Sequence, residues 1–127
     1  MHHRVGLHET DAAGVMFAGH IVTLAHSMYE QALATAGCDI AALIRNGEVG
    51  LPLIRCEADF RAPIRHGDQL SVAVTLAEQR EHGYQVVVTL HCNNTAAAAI
   101  KQTHVCIDSA GSKTALPPAV RAALDAL

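Results

Sequence analysis

Tryptophan is absent from this chain of 127 residues, which also has only two tyrosines and two phenylalanines. Charged residues are scarce at 17%, and the nine lysines and arginines form no basic cluster. Because proteins that bind nucleic acid present clustered cations to the phosphates, we expect no nucleic-acid partner. Half of the residues are apolar and are spread along the chain, which excludes a disordered protein. Length and composition predict a single globular domain over residues 1–127.

Long apolar segments are missing as well. The longest, residues 12–19 and 96–100, are far shorter than the roughly 20 residues that cross a bilayer. The first four residues lead into no apolar segment of the signal-peptide type. The four cysteines include no Cys-x-x-Cys pair, and the histidines include no His-x-x-x-His pair. We therefore expect a cytoplasmic protein without a membrane segment or a metal site, whose cysteines are small buried hydrophobic residues.

One segment has the spacing of an amphipathic helix. Its apolar residues follow the i, i+3, i+4, i+7 pattern of one helical face, and they are Ile21, Leu24, Ala25, Met28 and Ala32. Gly37 follows the last turn, where a glycine in the left-handed conformation commonly ends a helix. The pattern predicts a helix from His20 to about Ala36.

The second half of the chain alternates apolar and polar residues, as strands with one face on a core do. Alternation runs through residues 54–60, 70–76 and 84–92, and residues 99–107 fit a fourth strand. Short turns between these segments indicate an antiparallel meander. We also expect a short strand at residues 5–7 and a C-terminal helix after Pro117. One long helix with about five antiparallel strands makes an α+β fold, and the face and edges left uncovered predict an oligomer.

The segment from Glu9 to His20 joins the first predicted strand to the helix. Asp11 in this segment has two interpretations, since it either caps a turn before Gly14 or acts as a catalytic carboxylate. Backbone N–H groups around Ala18, Gly19 and His20 are expected to be unpaired at the positive end of the helix dipole. Such donors stabilise a developing oxyanion. A carboxylate near oxyanion donors indicates a site for acyl transfer.

Three segments of the sequence resemble one protein family. They are Glu9-Thr-Asp-Ala-Ala-Gly-Val15, the helix end Tyr29-Glu-Gln-Ala-Leu-Ala-Thr-Ala-Gly37, and residues 51–68 (LPLIRCEADFRAPIRHGD). In this order they are similar to the hotdog-fold acyl-CoA thioesterases of the 4-hydroxybenzoyl-CoA type, many of which have Asp where this chain has Glu9. Thr10–Val15 and the pattern His26-x-x-Tyr-Glu30 most resemble the 1,4-dihydroxy-2-naphthoyl-CoA hydrolases of phylloquinone and menaquinone synthesis.

The resemblance implies a hotdog fold, a sheet of about five strands wrapped around one long helix. It also implies hydrolysis of an aromatic acyl-CoA, preferably 1,4-dihydroxy-2-naphthoyl-CoA, to the free acid and coenzyme A. Asp11 matches the family's catalytic carboxylate, acting as nucleophile or as base for water, and the backbone N–H near Ala18 matches its oxyanion donor. His20 stands where relatives often have Asn, so it either donates to the acyl group or has no chemical role. Gly14, Val15 and Gly19 belong to the same motif and are expected around the substrate.

Other charged residues are candidates for substrate binding. Some hotdog thioesterases carry the catalytic carboxylate on the long helix, but the intact Asp11 motif gives Glu30 a supporting role here. The phosphates of coenzyme A need cations, and the candidates are Arg61, Arg65, Arg80 and Lys101, each of which also fits an ordinary surface charge. We expect no cofactor, because coenzyme A is part of the substrate. The family implies a pocket at a subunit interface and a homotetramer built as a dimer of dimers.

The sequence is also compatible with other substrates and other functions. The substrate could instead be 4-hydroxybenzoyl-CoA or a short acyl-CoA. A hotdog dehydratase would need a catalytic histidine beside an acidic residue on the helix, and the Asp11 loop argues against it. A non-catalytic module that binds acyl-CoA or an acyl carrier would keep the pocket without hydrolysis.

Overall fold

The computed structural model describes every residue from Met1 to Leu127 and contains one five-stranded sheet and three α-helices. The strands are β1 (His2–Arg4), β2 (Leu53–Phe60), β3 (Gln69–Gln79), β4 (Gly83–Cys92) and β5 (Thr95–Val105). The helices are α1 (Ala18–Thr35), α2 (Ile40–Asn46) and α3 (Pro118–Asp125). The strand order is β1-β3-β4-β5-β2, and every neighbouring pair is antiparallel. The predicted α+β fold and its C-terminal helix are confirmed.

The long helix α1 lies against the sheet and supplies much of the core. Its buried residues are Ile21, Leu24, Ala25, Met28, Tyr29 and Leu33. They pack with the inward-facing residues of the central strands, among them Val72, Val86, Val88, Leu90 and Ile100. The helix begins two residues before the predicted start, and Gly37 follows it with a φ of +96°, as expected. Burial of this apolar face fixes where both ends of α1 lie relative to the sheet.

The meander prediction is confirmed for β3, β4 and β5 and is wrong for β2. Asn93 and Asn94 make the tight turn between β4 and β5 with φ values of 50° and 63°, as hairpin turns require. The strand β2 pairs with β5 at the far edge of the sheet, and not with β3. Its apolar face was expected on the core, but Ile54 is 59% and Phe60 51% exposed, because α1 packs mainly against β3 and β4.

Two short elements differ from the prediction near the N-terminus and after α1. The first strand covers His2–Arg4, and Leu7–Glu9 forms a 3₁₀ helix where a strand at residues 5–7 was expected. The reason is that the Glu9 side chain accepts the Gly6 N–H at 2.9 Å, which winds the chain into a turn. The helix α2 was not predicted, since seven residues are too few for a clear period.

The cysteines are only partly the buried residues expected from the sequence. Cys38 and Cys106 are buried, whereas Cys92 is half-buried and Cys56 is exposed on the edge strand β2. All four are free thiols. None of the helices combines the length and the hydrophobicity needed to cross a membrane.

The backbones of β4 and β5 approach closely at Gly83. A Cβ atom at this position would lie 2.5 Å from the carbonyl oxygen of His104, whereas the nearest atom to one at Gly50 would be in the Ile107 side chain at 3.3 Å. We expect Gly83→Ala to lower the free energy of unfolding by about 1–3 kcal/mol, as overpacking does, and Gly50→Ala to lower it by less. Urea unfolding at pH 7 measures both effects. Equal losses in the two variants would contradict this account of Gly83.

Candidate active site

The residues between the 3₁₀ helix and α1 form a small hairpin with Asp11 near its tip. Thr10 and Met16 make a β-bridge, and the Asp11 N–H donates to the Val15 carbonyl at 2.9 Å. The Gly14 N–H donates to the Asp11 carbonyl at 3.0 Å. Gly14 has a φ of +79°, which residues with a Cβ rarely adopt, so glycine permits this reversal of the chain.

The Asp11 carboxylate is exposed to solvent and only partly engaged. Its Oδ1 atom accepts a hydrogen bond from the Ala13 N–H at 2.8 Å, which is the turn-capping interaction expected of an aspartate here. Its Oδ2 atom accepts no hydrogen bond from the chain. The two interpretations of Asp11 are therefore compatible, because one oxygen shapes the turn and the other is free to react.

The first turn of α1 presents two unpaired donors. Phe17 precedes the helix and provides no side-chain cap, and the N–H groups of Ala18 and Gly19 donate to no acceptor in the chain. The His20 N–H was expected to be unpaired as well, but it donates to the Phe17 carbonyl at 2.9 Å. The available oxyanion donors are therefore Ala18 and Gly19. The His20 side chain is exposed and lies edge-on to the Phe17 ring, with centroids 5.9 Å apart.

A groove of about 320 Å³ lies beside this turn. Its lining is mostly apolar and consists of Val15, Met16, Ala18, Ile21, Phe60, Arg61, Ala62, Pro63 and Ile64. The structure therefore brings together the predicted residues Val15, Ala18 and Arg61. Arg65 is close to the same loop, because its backbone forms a β-bridge with Val15. An apolar groove with a cation at its rim, next to free N–H groups, is suited to a ligand that has both apolar and anionic parts.

Two of the predicted residues lie away from this groove within one chain. Glu30 is about 18 Å along α1 from Ala18 and lines a separate groove of about 480 Å³ together with His26. Arg80 follows the last residue of β3, whereas Arg65 precedes the first. The two arginines therefore lie roughly 35 Å apart along the strand. Arg80 is exposed and donates to Glu78 at 2.8 Å. A single chain does not bring Glu30 and Arg80 to Asp11.

Comparison with known proteins identifies the family of the chain. The family model of the thioesterase-like superfamily matches residues 5–124. The chain belongs to this superfamily. A 1,4-dihydroxy-2-naphthoyl-CoA hydrolase of Microcystis aeruginosa is 30% identical over 116 residues, which cover 91% of this chain and 84% of the relative. A hydrolase of the same name from Prochlorococcus marinus is 31% identical over 126 residues, which cover 93% and 83% of the two chains.

A solved structure agrees with this assignment. The crystal structure of a 1,4-dihydroxy-2-naphthoyl-CoA thioesterase from Synechocystis matches with a TM-score of 0.92 at 28% identity, covering 100% of this chain and 95% of that chain. The resemblance to the hotdog-fold thioesterases and the fold that it implied are thereby confirmed.

Glu9 anchors the base of the thioesterase-like loop, a role that the sequence reasoning did not assign. Its carboxylate is buried and accepts hydrogen bonds from the Gly6 N–H at 2.9 Å and from His3 Nε2 at 2.9 Å. Burial by itself raises the pKa of the Glu9 carboxyl, but these two donors outweigh burial and hold the pKa below its ordinary value. Only the Glu9 half of a capping box is present, since Gly6 has no side chain to accept the Glu9 N–H, so the sequence carried no clear signal for this turn.

A buried polar cluster lies under the other half of α1 in this thioesterase-like chain. The hydroxyls of Tyr29 and Tyr84 share a hydrogen bond, and the His104 ring stacks on both rings, with centroids 4.5 Å from Tyr29 and 5.2 Å from Tyr84. Burial raises the pKa of Tyr29 to about 12. Burial also lowers the pKa of His104, whose Nδ1 donates to the Leu51 carbonyl at 2.9 Å.

The cluster connects α1 to the sheet away from the Asp11 loop. His26 lies next to it, with its ring 5.8 Å from that of His104. Tyr84 alternates with polar residues along β4, so the sequence indicated a core position for it, but the segment around His104 has no clear alternation and indicated nothing about the pairing. No group of three or more His, Cys, Asp or Glu side chains is arranged to hold a metal ion.

Proposed function

We propose that this chain is an acyl-CoA thioesterase that hydrolyses 1,4-dihydroxy-2-naphthoyl-CoA to the free acid and coenzyme A. The observation that carries the proposal is the loop of Asp11, which has a free carboxylate oxygen and leads directly into the unpaired N–H groups of Ala18 and Gly19. The substrate is chosen because relatives of about 30% identity have this name. Coenzyme A is part of the substrate, so the reaction needs no cofactor.

The proposed chemistry uses few groups. The Asp11 Oδ2 atom either attacks the thioester carbonyl, expelling the thiolate and giving an anhydride that water then hydrolyses, or removes a proton from the water that attacks the carbonyl directly. The carbonyl oxygen gains negative charge in this step, and the N–H groups of Ala18 and Gly19 stabilise it. The leaving thiolate has a pKa in the thiol range of about 8.5, so its departure needs little help from a general acid. Positioning of the carbonyl between carboxylate and donors is then the main requirement.

The groove beside Ala18 is proposed to hold the part of the substrate next to the thioester. Its apolar lining suits an aromatic acid, and Arg61 and Arg65 lie where they can attract the phosphates of coenzyme A. Gly14, Val15 and Gly19 shape the loop and the turn around the carbonyl. His20 remains either a donor to the acyl group or a residue without a chemical role.

We infer that the active protein is a homo-oligomer, a tetramer built as a dimer of dimers. The edge strand β2 supports this, because it exposes apolar residues such as Ile54 and Phe60 together with unpaired backbone groups. A second copy of the chain would cover this edge and bring Glu30 and Arg80 of one subunit closer to Asp11 of another. The proposal includes a cytoplasmic location, which the buried free thiols of Cys38 and Cys106 suit.

A panel of coenzyme A thioesters tests the substrate. We expect kcat/KM for 1,4-dihydroxy-2-naphthoyl-CoA to exceed that for acetyl-CoA by about tenfold or more, since the groove is apolar. Release of free thiol measures each rate. A higher kcat/KM for 4-hydroxybenzoyl-CoA or a short acyl-CoA would contradict the proposed substrate and indicate a thioesterase of another specificity. Binding without thiol release would support the non-catalytic module, and hydration of an enoyl-CoA would support the dehydratase.

Replacement of the Asp11 carboxylate by an amide tests the catalytic group. We expect Asp11→Asn to lower kcat by a factor on the order of 10² or more, because the amide neither attacks nor takes a proton. Stability should change by only about 1 kcal/mol or less, the contribution of a capping side chain. The matched control is Asp39→Asn, which alters another exposed aspartate that accepts a backbone N–H, that of Ala42. If a folded Asp11→Asn variant keeps the turnover of the control, Asp11 is not the catalyst.

A charge on the edge strand tests the assembly. Light scattering of the wild type is expected to give a multiple of the 13.4 kDa subunit mass. Ile54→Glu should lower that mass, because a buried unpaired charge at an interface costs several kcal/mol. The control is Leu7→Glu, since Leu7 is 71% exposed and lies outside β2. An active wild type of 13.4 kDa would show that one subunit is sufficient.

A further inference from the structure

Glu9 is connected to both sides of the loop that carries Asp11. It precedes Asp11 by two residues, and its carbonyl accepts the Phe17 N–H at 2.9 Å. Phe17 in turn directly precedes Ala18 and Gly19, whose N–H groups are unpaired. A displacement of Glu9 therefore changes the position of the Asp11 carboxylate relative to these donors.

The two sides of the loop are attached to the rest of the molecule in different ways. Residues 15 and 16, which lead back toward α1, are held by backbone contacts. The Met16 N–H donates to the Ile64 carbonyl at 2.6 Å, and Val15 forms a β-bridge with Arg65. Residues 9–11, which lead into the loop, have no hydrogen bond to the sheet except through the Glu9 side chain. That side chain alone ties them to β1.

The contact between Glu9 and β1 is a buried charge-assisted one. Both Glu9 carboxylate oxygens face His3 Nε2, at 2.9 and 3.1 Å, and Glu9 is only 7% exposed. His3 lies in register with Leu70 of β3, so the pair links the loop to the sheet. Hydrogen bonds to a charged group are stronger and more directional than those between neutral groups, and a buried carboxylate depends on them. The other titratable group near Glu9 is His8, on the same 3₁₀ turn.

We propose that His3 and Glu9 form a positioning pair for thioester hydrolysis, which holds the Asp11 carboxylate in place relative to the Ala18 and Gly19 N–H groups. This inference rests on the proposed thioesterase function and adds one residue, His3, that lies outside the loop. It gives the acidic residue at position 9 a role that does not involve contact with the substrate.

Kinetics of four variants test the pair. We expect His3→Ala and Glu9→Ala each to lower kcat by about tenfold or more while KM stays within about twofold, because small displacements of reacting groups slow the chemical step. His3→Gln should recover most of the loss, since its amide N–H can donate to Glu9. The double variant should be no slower than the slower single variant, because each change removes the same contact.

A matched control separates positioning from simple loss of stability. Leu124→Ala removes a fully buried side chain of α3, at the other end of the sheet from the loop, and should leave kcat unchanged. If the alanine variants at positions 3 and 9 keep kcat as Leu124→Ala does, the inference is overturned. Should Glu9→Ala fail to fold, His3→Ala decides the question, since the His3 side chain is 26% exposed and its truncation is expected to leave the fold intact.

Amide hydrogen exchange provides a readout that is independent of activity. Exchange of the Phe17 N–H, which the Glu9 carbonyl protects, should be faster in His3→Ala and Glu9→Ala than in the wild type or in Leu124→Ala. A fall in kcat without faster exchange at Phe17, or faster exchange without a fall in kcat, overturns the inference. If the wild type hydrolyses no thioester of the panel, the proposed function fails. Exchange at Phe17 then decides alone whether the pair anchors the loop.

Discussion

The packing of α1 against one face of the sheet is the contact on which the rest of the structure depends. Six buried side chains of this helix meet the inward-facing residues of β3, β4 and β5, and no other helix covers that surface to the same extent. Because the apolar face fixes the helix along its whole length, it also fixes the position of the first turn. The unpaired N–H groups of Ala18 and Gly19 and the groove beside them follow from this packing.

Two separate sets of polar contacts hold the ends of α1. Under the second half of the helix, Tyr29, Tyr84 and His104 pair and stack in the core, and their burial disfavours the charged forms of all three. Before the first turn, a charged carboxylate is used instead, that of Glu9 with His3. The neutral cluster contributes rigidity in the core. The Glu9 carboxylate lies at the base of the loop where the chemistry is proposed to occur.

A single helix on one sheet leaves the edge strand β2 uncovered. Apolar residues of β2 such as Ile54 and Phe60 stay exposed, and Glu30 and Arg80 lie far from Asp11 within one chain. The thioester itself makes modest chemical demands, because its leaving group departs without strong acid help. The proposed site of one carboxylate and two backbone donors meets this demand, and in the proposed oligomer a second subunit would complete the walls of the pocket.

Local patterns in the sequence determined the long helix, the three meander strands and the loop of Asp11. These elements are stabilised by contacts between near neighbours, such as the apolar spacing from Ile21 to Met28 and the paired asparagines at 93 and 94. The motif around Asp11 and Gly14 likewise specified its own turn.

Only the tertiary structure decided which groups meet across the fold. Periodicity in the sequence does not encode the contacts that place β2 at the far edge of the sheet. Nor does it encode the pairing of the His20 N–H with Phe17 or the separation of Arg80 from Arg65. The same holds for His3 and Glu9, six residues apart, which meet because a turn between them brings a strand and a loop together. Sequence spacing describes one element at a time, whereas an active site depends on how several elements pack.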